Sequence, residues 1–296
     1  MDHLGAALPR FGHLRVLDIS SVRIRAIEPI LSFVRDSKIT MLILDNAYLY
    51  DDDFSAKTEG IQQLTHWLTH NPIVHVEFCN LTFQADTSTL GRFYAALFTS
   101  PTMLSLTIEF NELPNFPTHP FAAALCMKTL DLMGSHVDAD GVAHLCRGLR
   151  NSRVAKLMLD GLDAASVLEV VTVLPHTKFC DVNLHTESAT TEWCLQLATC
   201  LPQTQLQDLL LSNKLDNGYV FALAHALALT PQLKSLWLCS DALGMAGTTA
   251  LVRAAGARFA VTKMLSLSHN ILTDEDVREL TTIVGRFDNI AKCSST

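Results

Sequence analysis

An eleven-residue pattern recurs ten times along the chain, and this recurrence limits the possible folds more than any other feature. The last copy reads TKMLSLSHNIL from Thr262. The earlier copies are LRVLDISSVRI from Leu14, ITMLILDNAYL from Ile39, IVHVEFCNLTF from Ile73, MLSLTIEFNEL from Met103, MKTLDLMGSHV from Met127, VAKLMLDGLDA from Val154, FCDVNLHTESA from Phe179, LQDLLLSNKLD from Leu206 and LKSLWLCSDAL from Leu233. The nine intervals from residue 14 to residue 262 span 248 residues, or about 27.6 each. A near-constant period of this length indicates stacked structural repeats.

Each copy predicts a short strand followed by a helix. The leucine positions alternate with other residues, so they face one side of a strand. After each strand, apolar residues recur three and four apart, as in Val142, Leu145, Cys146 and Leu149, which is typical of a half-buried helix. Thr273 can cap the last helix, and proline marks several helix exits. The predicted helices are 60–70, 88–99, 140–149, 164–174, 190–201, 218–229, 245–257 and 274–284.

The pattern resembles the leucine-rich repeat motif LxxLxLxxNxL, in the long-repeat subclass of ribonuclease inhibitor, over nearly the whole chain. The resemblance implies an α/β solenoid, or horseshoe, of about ten repeats, with parallel strands on the concave face and helices on the convex face. One repeat cannot bury its own apolar side, so neighbouring repeats must stack.

The asparagine position of the motif is where this sequence departs from it. Only Asn111 and Asn270 fill that position, where an asparagine would bond backbone groups of the turn. Elsewhere the position holds Val22, Ala47, Leu81, Ser135, Leu162, Glu187, Lys214 or Asp241, so most turns must find other partners.

The pattern predicts three segments. Residues 1–13 are the end of a preceding repeat helix or an incomplete N-terminal cap, 14–286 are the repeat solenoid, and 287–296 are a C-terminal tail. The tail, FDNIAKCSST from Phe287, offers neither strand nor helix. Because an open solenoid end exposes its core, we expect that the chain lacks an upstream portion or docks something on its first strand.

Composition and charge argue against several classes of protein. The formal net charge is -8, and an excess of acid disfavours nucleic acid and anionic membranes as partners. The longest apolar runs, near 167–174 and 219–229, are too short for a membrane span. The start of the chain does not resemble a secretory signal. None of the eight cysteines forms CxxC, which favours reduced thiols in a cytoplasmic protein.

Catalytic and metal-binding motifs are missing from the sequence. It contains no GxxxxGK[ST], GxGxxG, GxSxG or HExxH, so we expect neither an enzyme nor a cofactor. His66 and His70 lie four apart, with His75 nearby, but no carboxylate or cysteine of matching register completes a tetrahedral metal site. The acidic run 51–53 lacks the spacing and the glycine of an EF-hand.

One enzymatic alternative comes from a second resemblance. Ran GTPase-activating protein belongs to the same repeat subclass and acts from a rim loop. DISSVRIRAIEP places Arg23 and Arg25 in the first such loop, and LDNAYL around Asn46 is similar to that family's second repeat. An arginine delivered to a nucleotide can stabilise the charge of phosphoryl transfer. The long acidic tail of that family is missing here, which favours a structural role for both arginines.

The residues between the leucines are expected to project from the concave face. The central column is Asp18, Ile43, Glu77, Thr107, Asp131, Met158, Asn183, Leu210, Trp237 and Ser266. The column two residues later is Ser20, Asp45, Cys79, Glu109, Met133, Asp160, His185, Ser212, Cys239 and Ser268. An exposed tryptophan among apolar neighbours is typical of a binding hot spot. The predicted protein-binding residues are Asp45, Glu77, Glu109, Asp131, Met158, Asp160, Asn183, Leu210 and Trp237.

Together these features favour a non-catalytic scaffold that binds a protein partner on its concave face. The acidic first half of that face favours a partner with a basic surface. A recognition arm of a larger receptor or adaptor is one form of this hypothesis, and a ribonuclease-inhibitor-like clamp on a basic enzyme is another. Both rest on the family resemblance, because fold alone does not fix function.

Overall fold

The computed structural model describes residues 7–20, 27–45, 54–114, 116, 125–186, 190–212, 217–239 and 242–294, without the side chains of Asn217 and Cys239. The chain divides into two compact units, Met1–Val154 and Ala155–Thr296. Both are built from parallel strands alternating with helices, so the fold class is α/β, as predicted. In the described ranges, no helix combines the length and the apolar character that crossing a membrane requires.

The first unit contains a main parallel sheet, a small two-stranded one, and a helix after most strands of the main sheet. After a short 3-10 helix (Leu8–Arg10), the elements are β1 (Val16–Ser20), α1 (Glu28–Asp36), β2 (Met41–Asp45), β3 (Ser55–Lys57), α2 (Thr58–His70), β4 (His75–Cys79), β5 (Thr82–Gln84), α3 (Thr87–Thr99), β6 (Ser105–Glu109), β7 (Thr129–Leu132) and α4 (Ala139–Leu149). Strands β1, β2, β4, β6 and β7 lie side by side in this order, and β3 pairs with β5 in a small separate sheet.

The second unit repeats the same alternation. Its elements are β8 (Lys156–Leu162), α5 (Ala164–Val173), β9 (Asp181–Thr186), α6 (Thr191–Cys200), β10 (Asp208–Ser212), α7 (Asn217–Ala228), β11 (Ser235–Cys239), α8 (Met245–Gly256), β12 (Met264–Ser266), α9 (Asp274–Val284) and β13 (Cys293–Ser294). These strands are parallel and lie side by side in chain order. Short 3-10 turns, each containing a proline, extend α5 and α6.

Two residues of each repeat strand form the core, as the alternation predicts. They are Leu17 and Ile19, Leu42 and Leu44, Val76 and Phe78, Leu106 and Ile108, Leu130 and Leu132, Leu157 and Leu159, Val182 and Leu184, Leu209 and Leu211, Leu236 and Leu238, and Leu265 and Leu267. None of these side chains is more than 7% exposed. Helix α2 packs against α1 and α3 in the first unit, and helices α5 to α9 pack in succession in the second, on this side of the sheet. Burial of this apolar surface is the main force that holds the repeats together.

Asn111 performs the turn-closing role that the motif predicts. Its Nδ2 donates to the carbonyls of Phe78 (2.9 Å) and Glu109 (2.6 Å), and its Oδ1 accepts from the backbone N–H of Leu81 (2.5 Å). In the next repeat, the hydroxyl of Ser135 donates to the carbonyl of Ile108 at 2.7 Å. Serine, whose polar side chain is shorter than that of asparagine, therefore also bonds a strand carbonyl of the preceding repeat.

The other asparagine positions differ. Asn270 donates to the carbonyls of Leu267 (2.7 Å) and Leu238 (3.2 Å). Leu81 and Leu162 place apolar side chains in the core instead. Val22, Ala47, Glu187, Lys214 and Asp241 lie outside the described residues.

The predicted helices are confirmed, and each end lies within two residues of the observed one. The hydroxyl of Thr273 accepts from the backbone N–H of Asp276 in a capping box, as its position suggested. Aspartates not singled out in the sequence, Asp86, Asp138 and Asp163, cap three other helices by accepting a bond from the backbone N–H three residues later. Helix α1 was not predicted, although Pro29 in its first turn is a usual start signal.

The C-terminal tail corrects one prediction. Residues 287–294 were expected to contain no strand, yet β13 pairs with β12 through bonds from Leu265 N–H to Lys292 C=O (2.9 Å) and from Leu267 N–H to Ser294 C=O (2.7 Å). Ile290 and Cys293 pair with Thr262 and Leu265, so the segment continues the repeat register. Cysteine replaces leucine there, and this hides the pattern. The limits 1–13, 14–286 and 287–296 stay a prediction.

Candidate functional site

The side of each sheet opposite the helices, hereafter the open face, presents the residues that lie between the core positions. In the first unit, strand pairing places Asp18, Ile43, Glu77, Thr107 and Asp131 in one row. In the second unit, the row is Met158, Asn183, Leu210, Trp237 and Ser266. The predicted central column is therefore aligned as expected within each unit, but two of its members, Asp131 and Ser266, are buried rather than projecting.

Four carboxylates cluster on the open face of the first unit: Asp45, Glu77, Glu109 and Asp131, hereafter the acidic face. Burial raises the pKa of Glu109 above its ordinary value, and the neighbouring charges of Asp131, Glu77 and Asp45 raise it further. The Nε2 atom of His75 lies 3.6 Å from Oε2 of Glu77. Carboxylates that lie close together add their negative potentials, so an approaching cation is attracted to them as a set.

Cys79 lies between Asp45 and Glu109 of the acidic face but cannot act as a nucleophile there at neutral pH. Burial, together with the nearby carboxylates of Asp45, Glu109 and Glu77, raises the pKa of its thiol to about 12. The thiol therefore remains protonated, and it is the thiolate that reacts.

An apolar group lies on the open face of the second unit: Met158, Leu210 and Trp237, hereafter the Trp237 patch. Leu210 pairs directly with Trp237 on the next strand, and Asn183 lies between Met158 and Leu210. Trp237 is half-buried, whereas Trp67 and Trp193 are 0% and 1% exposed. Trp237 is thus the one tryptophan that reaches solvent, and it does so from a sheet surface rather than from the core.

Polar side chains border the Trp237 patch. Nδ1 of His185 is hydrogen-bonded to Oδ1 of Asp160 on the neighbouring strand. Nζ of Lys156 lies 3.6 Å from Oδ2 of Asp181. Oδ1 of Asn183 is buried and accepts no hydrogen bond from any described residue. An apolar centre with polar groups around it is the arrangement found in protein interfaces.

The structure places the predicted site residues in two sets. Asp45, Glu77, Glu109 and Asp131 come together in the first unit, and Met158, Asp160, Asn183, Leu210 and Trp237 come together in the second. Asp131 is the most buried of the carboxylates, and its Oδ1 accepts from the backbone N–H of Met133 at 3.1 Å.

The residues considered for metal binding or GTPase activation belong to neither of these sets. Arg23, Arg25, Asn46 and the acidic run 51–53 lie outside the described residues. His66 and His70 stack with ring centroids 4.0 Å apart near the end of α2. Within the described ranges, no group of three or more histidine, cysteine, aspartate or glutamate side chains could hold a metal ion.

Comparisons with known proteins give matches among solved structures alone. No protein-family model matches the chain, and no curated protein matches it significantly. An internalin (inlF) from Listeria monocytogenes is similar over 97% of this chain and 88% of its own length, with 13% sequence identity and a TM-score of 0.43. A likeness this weak carries no functional conclusion.

Proposed function

We propose that the chain is a non-catalytic protein-interaction module of the ribonuclease-inhibitor-like leucine-rich repeat subclass, and that its open face binds a protein partner. The observation that carries the proposal is Trp237, which stands beside Leu210 on the open face while the other tryptophans are buried. Tryptophan in an apolar setting at a surface is the residue type most enriched among binding hot spots.

The chemistry of the open face favours a partner with basic and apolar residues. The acidic face attracts lysine and arginine side chains and speeds association, an effect that salt weakens. The Trp237 patch supplies apolar contact. The unpaired Oδ1 of Asn183 favours a hydrogen-bond donor in the partner, since a buried acceptor left without a bond is costly.

The proposal includes a cytoplasmic location and a role as the recognition arm of a larger receptor or adaptor. Both follow from the cysteine usage and the family resemblance. The Ran-type alternative depends on Arg23 and Arg25, and no observation on the described residues favours it.

We expect Trp237→Ala to weaken binding of the partner by about 2 kcal/mol or more, because truncating a hot-spot tryptophan removes a large desolvated contact. The measurement is isothermal titration calorimetry with a partner that the wild-type chain captures from a cell lysate. Phe221→Ala is the matched control, since Phe221 is an exposed aromatic residue on helix α7 rather than on the open face.

Equal affinity of the partner for wild type and Trp237→Ala would show that the binding site lies outside the Trp237 patch. A loss of affinity in Phe221→Ala alone would place the site on the helices. Unfolding curves of both variants show whether a change in affinity reflects folding.

A further inference from the structure

The loop between α8 and β12 exposes two apolar side chains to solvent. Phe259 is fully exposed, and Val261 is 56% exposed. Residues 257–263 are hereafter called the tip. A fully exposed phenylalanine loses the free energy that burial of its ring would provide, so the tip is a candidate contact surface.

The tip is held in place from inside by Arg258. This arginine is buried and donates from Nη2 to the carbonyls of Thr230 (2.8 Å), Pro231 (3.1 Å) and Leu233 (2.5 Å). Its Nη1 donates to the hydroxyl of Thr262 at 3.3 Å. Arg258 therefore ties the tip to the turn of the preceding repeat.

Asn289 holds the tip from the following segment. Its Nδ2 donates to the carbonyls of Arg258 (2.7 Å), Ala255 (3.0 Å) and Ala260 (3.4 Å). The tip is thus anchored by one of its own side chains, Arg258, and by Asn289 of the following segment. A surface ordered before binding loses less conformational entropy when it docks, so Phe259 is presented at low cost.

Basic residues outnumber acidic ones around the tip, where Asp288 beside Asn289 is the exposed acid, although the chain as a whole is acidic. From residue 253 to residue 263 the sequence contains Arg253, Arg258 and Lys263 and no acidic residue. Arg253 and Lys263 are exposed. Lys292 is also exposed and follows Ala291, whose N–H bonds the carbonyl of Thr262 at 2.8 Å. The tip therefore fits an acidic surface that offers an apolar contact.

The acidic face has these properties. Its carboxylates come from adjacent strands, and the apolar side chain of Ile43 lies in the same row as Glu77. We propose that the tip of one copy of this chain docks on the acidic face of a second copy, with Phe259 against Ile43 and Lys263 against Glu77. This inference rests on the proposed function only in assigning the acidic face to binding.

A contact between two different surfaces of the same chain is heterologous, so it continues beyond a dimer into rings or open chains. The contact also covers the acidic face. A basic partner and a second copy then compete for the same carboxylates, and self-association regulates access to that face.

The test is sedimentation equilibrium of the full chain over about two decades of concentration. Wild type is expected to associate reversibly, and association is expected to weaken as ionic strength rises. Phe259→Ala and Lys263→Glu should each weaken it at least about tenfold, the range of a hot-spot substitution. Both side chains are exposed, so the variants should fold.

A charge exchange identifies the second surface. Glu77→Lys should weaken association, and the double variant Glu77→Lys/Lys263→Glu, which exchanges the two charges in every copy of the chain, should restore it. Phe221→Ala is the matched aromatic control, because Phe221 is exposed on helix α7 and belongs neither to the tip nor to the open face, and it should associate as wild type does.

A monomeric wild-type chain at every concentration would overturn the inference and leave the proposed function standing, because that is tested by partner binding to Trp237→Ala. Undiminished association of Phe259→Ala, or a failure of the charge exchange, would also overturn it.

Discussion

Replacing Asn111 with alanine is expected to lower the free energy of unfolding by about 3–4 kcal/mol, because the substitution removes the side-chain partner of two buried backbone groups at about 1–3 kcal/mol each. The two groups are the carbonyl of Phe78 and the N–H of Leu81, whereas the carbonyl of Glu109 keeps its bond from the N–H of Asn80 at 2.9 Å. Asn111 is itself buried, so water cannot replace the lost bonds without opening the turn. Urea denaturation of wild type and variant measures the difference.

Asn270→Ala provides the matched comparison, since Asn270 occupies the same position of the motif. Its Nδ2 donates to carbonyls in the same manner, but the side chain is only half-buried and its Oδ1 has no partner among the described residues. We expect a loss of about 1 kcal/mol, the ordinary contribution of such a bond. Equal losses in the two variants would show that the buried turn at Asn111 has no special role.

Trp67→Ala is expected to lower the free energy of unfolding by about 3–5 kcal/mol, the usual cost of removing a large aromatic side chain from a core. Trp67 is completely buried in helix α2, and its Nε1 donates to the carbonyl of Ile39 at 3.0 Å. The substitution therefore creates a cavity and leaves that carbonyl unpaired. Thermal and urea unfolding, followed by far-UV circular dichroism, report the loss.

The control for Trp67→Ala is Trp237→Ala, which changes the same residue type on the open face. Trp237 is half-buried. Because it packs on a sheet surface and leaves no closed cavity, we expect its loss to cost under about 1 kcal/mol. If Trp237→Ala destabilised the chain as much as Trp67→Ala, Trp237 would belong to the core.

The sequence was sufficient to predict the core residues of the repeats, but it did not predict the first helix or the last strand. Leu236 and Leu238 could be assigned to the core because side chains alternate along a strand, and this rule does not depend on distant contacts. Strand β13 was not predicted because Cys293 occupies a position where the repeat pattern has leucine. Helix α1 has a short apolar pattern, so the single helix start signal at Pro29 was not enough to predict it.

The positions of the open-face residues could be predicted from the sequence, but the hydrogen bonds between their side chains could not. Parallel repeats keep their register, so the row that contains Leu210 and Trp237 follows from the alignment of the copies. The bond between His185 and Asp160 depends on side-chain rotamers, which the pattern does not specify. The tip was missed because Phe259 lies in a loop outside the repeat pattern, and the path of the Arg258 side chain is visible only in three dimensions.

The division of each strand between core and open face is tested most directly by acrylamide quenching of tryptophan fluorescence in the folded protein. The chain has three tryptophans, of which Trp67 and Trp193 are buried and Trp237 reaches the open face. We predict one quenchable fraction in wild type and its disappearance in Trp237→Phe. Quenching that is unchanged in Trp237→Phe would contradict the placement of Trp237 on a surface available to a partner.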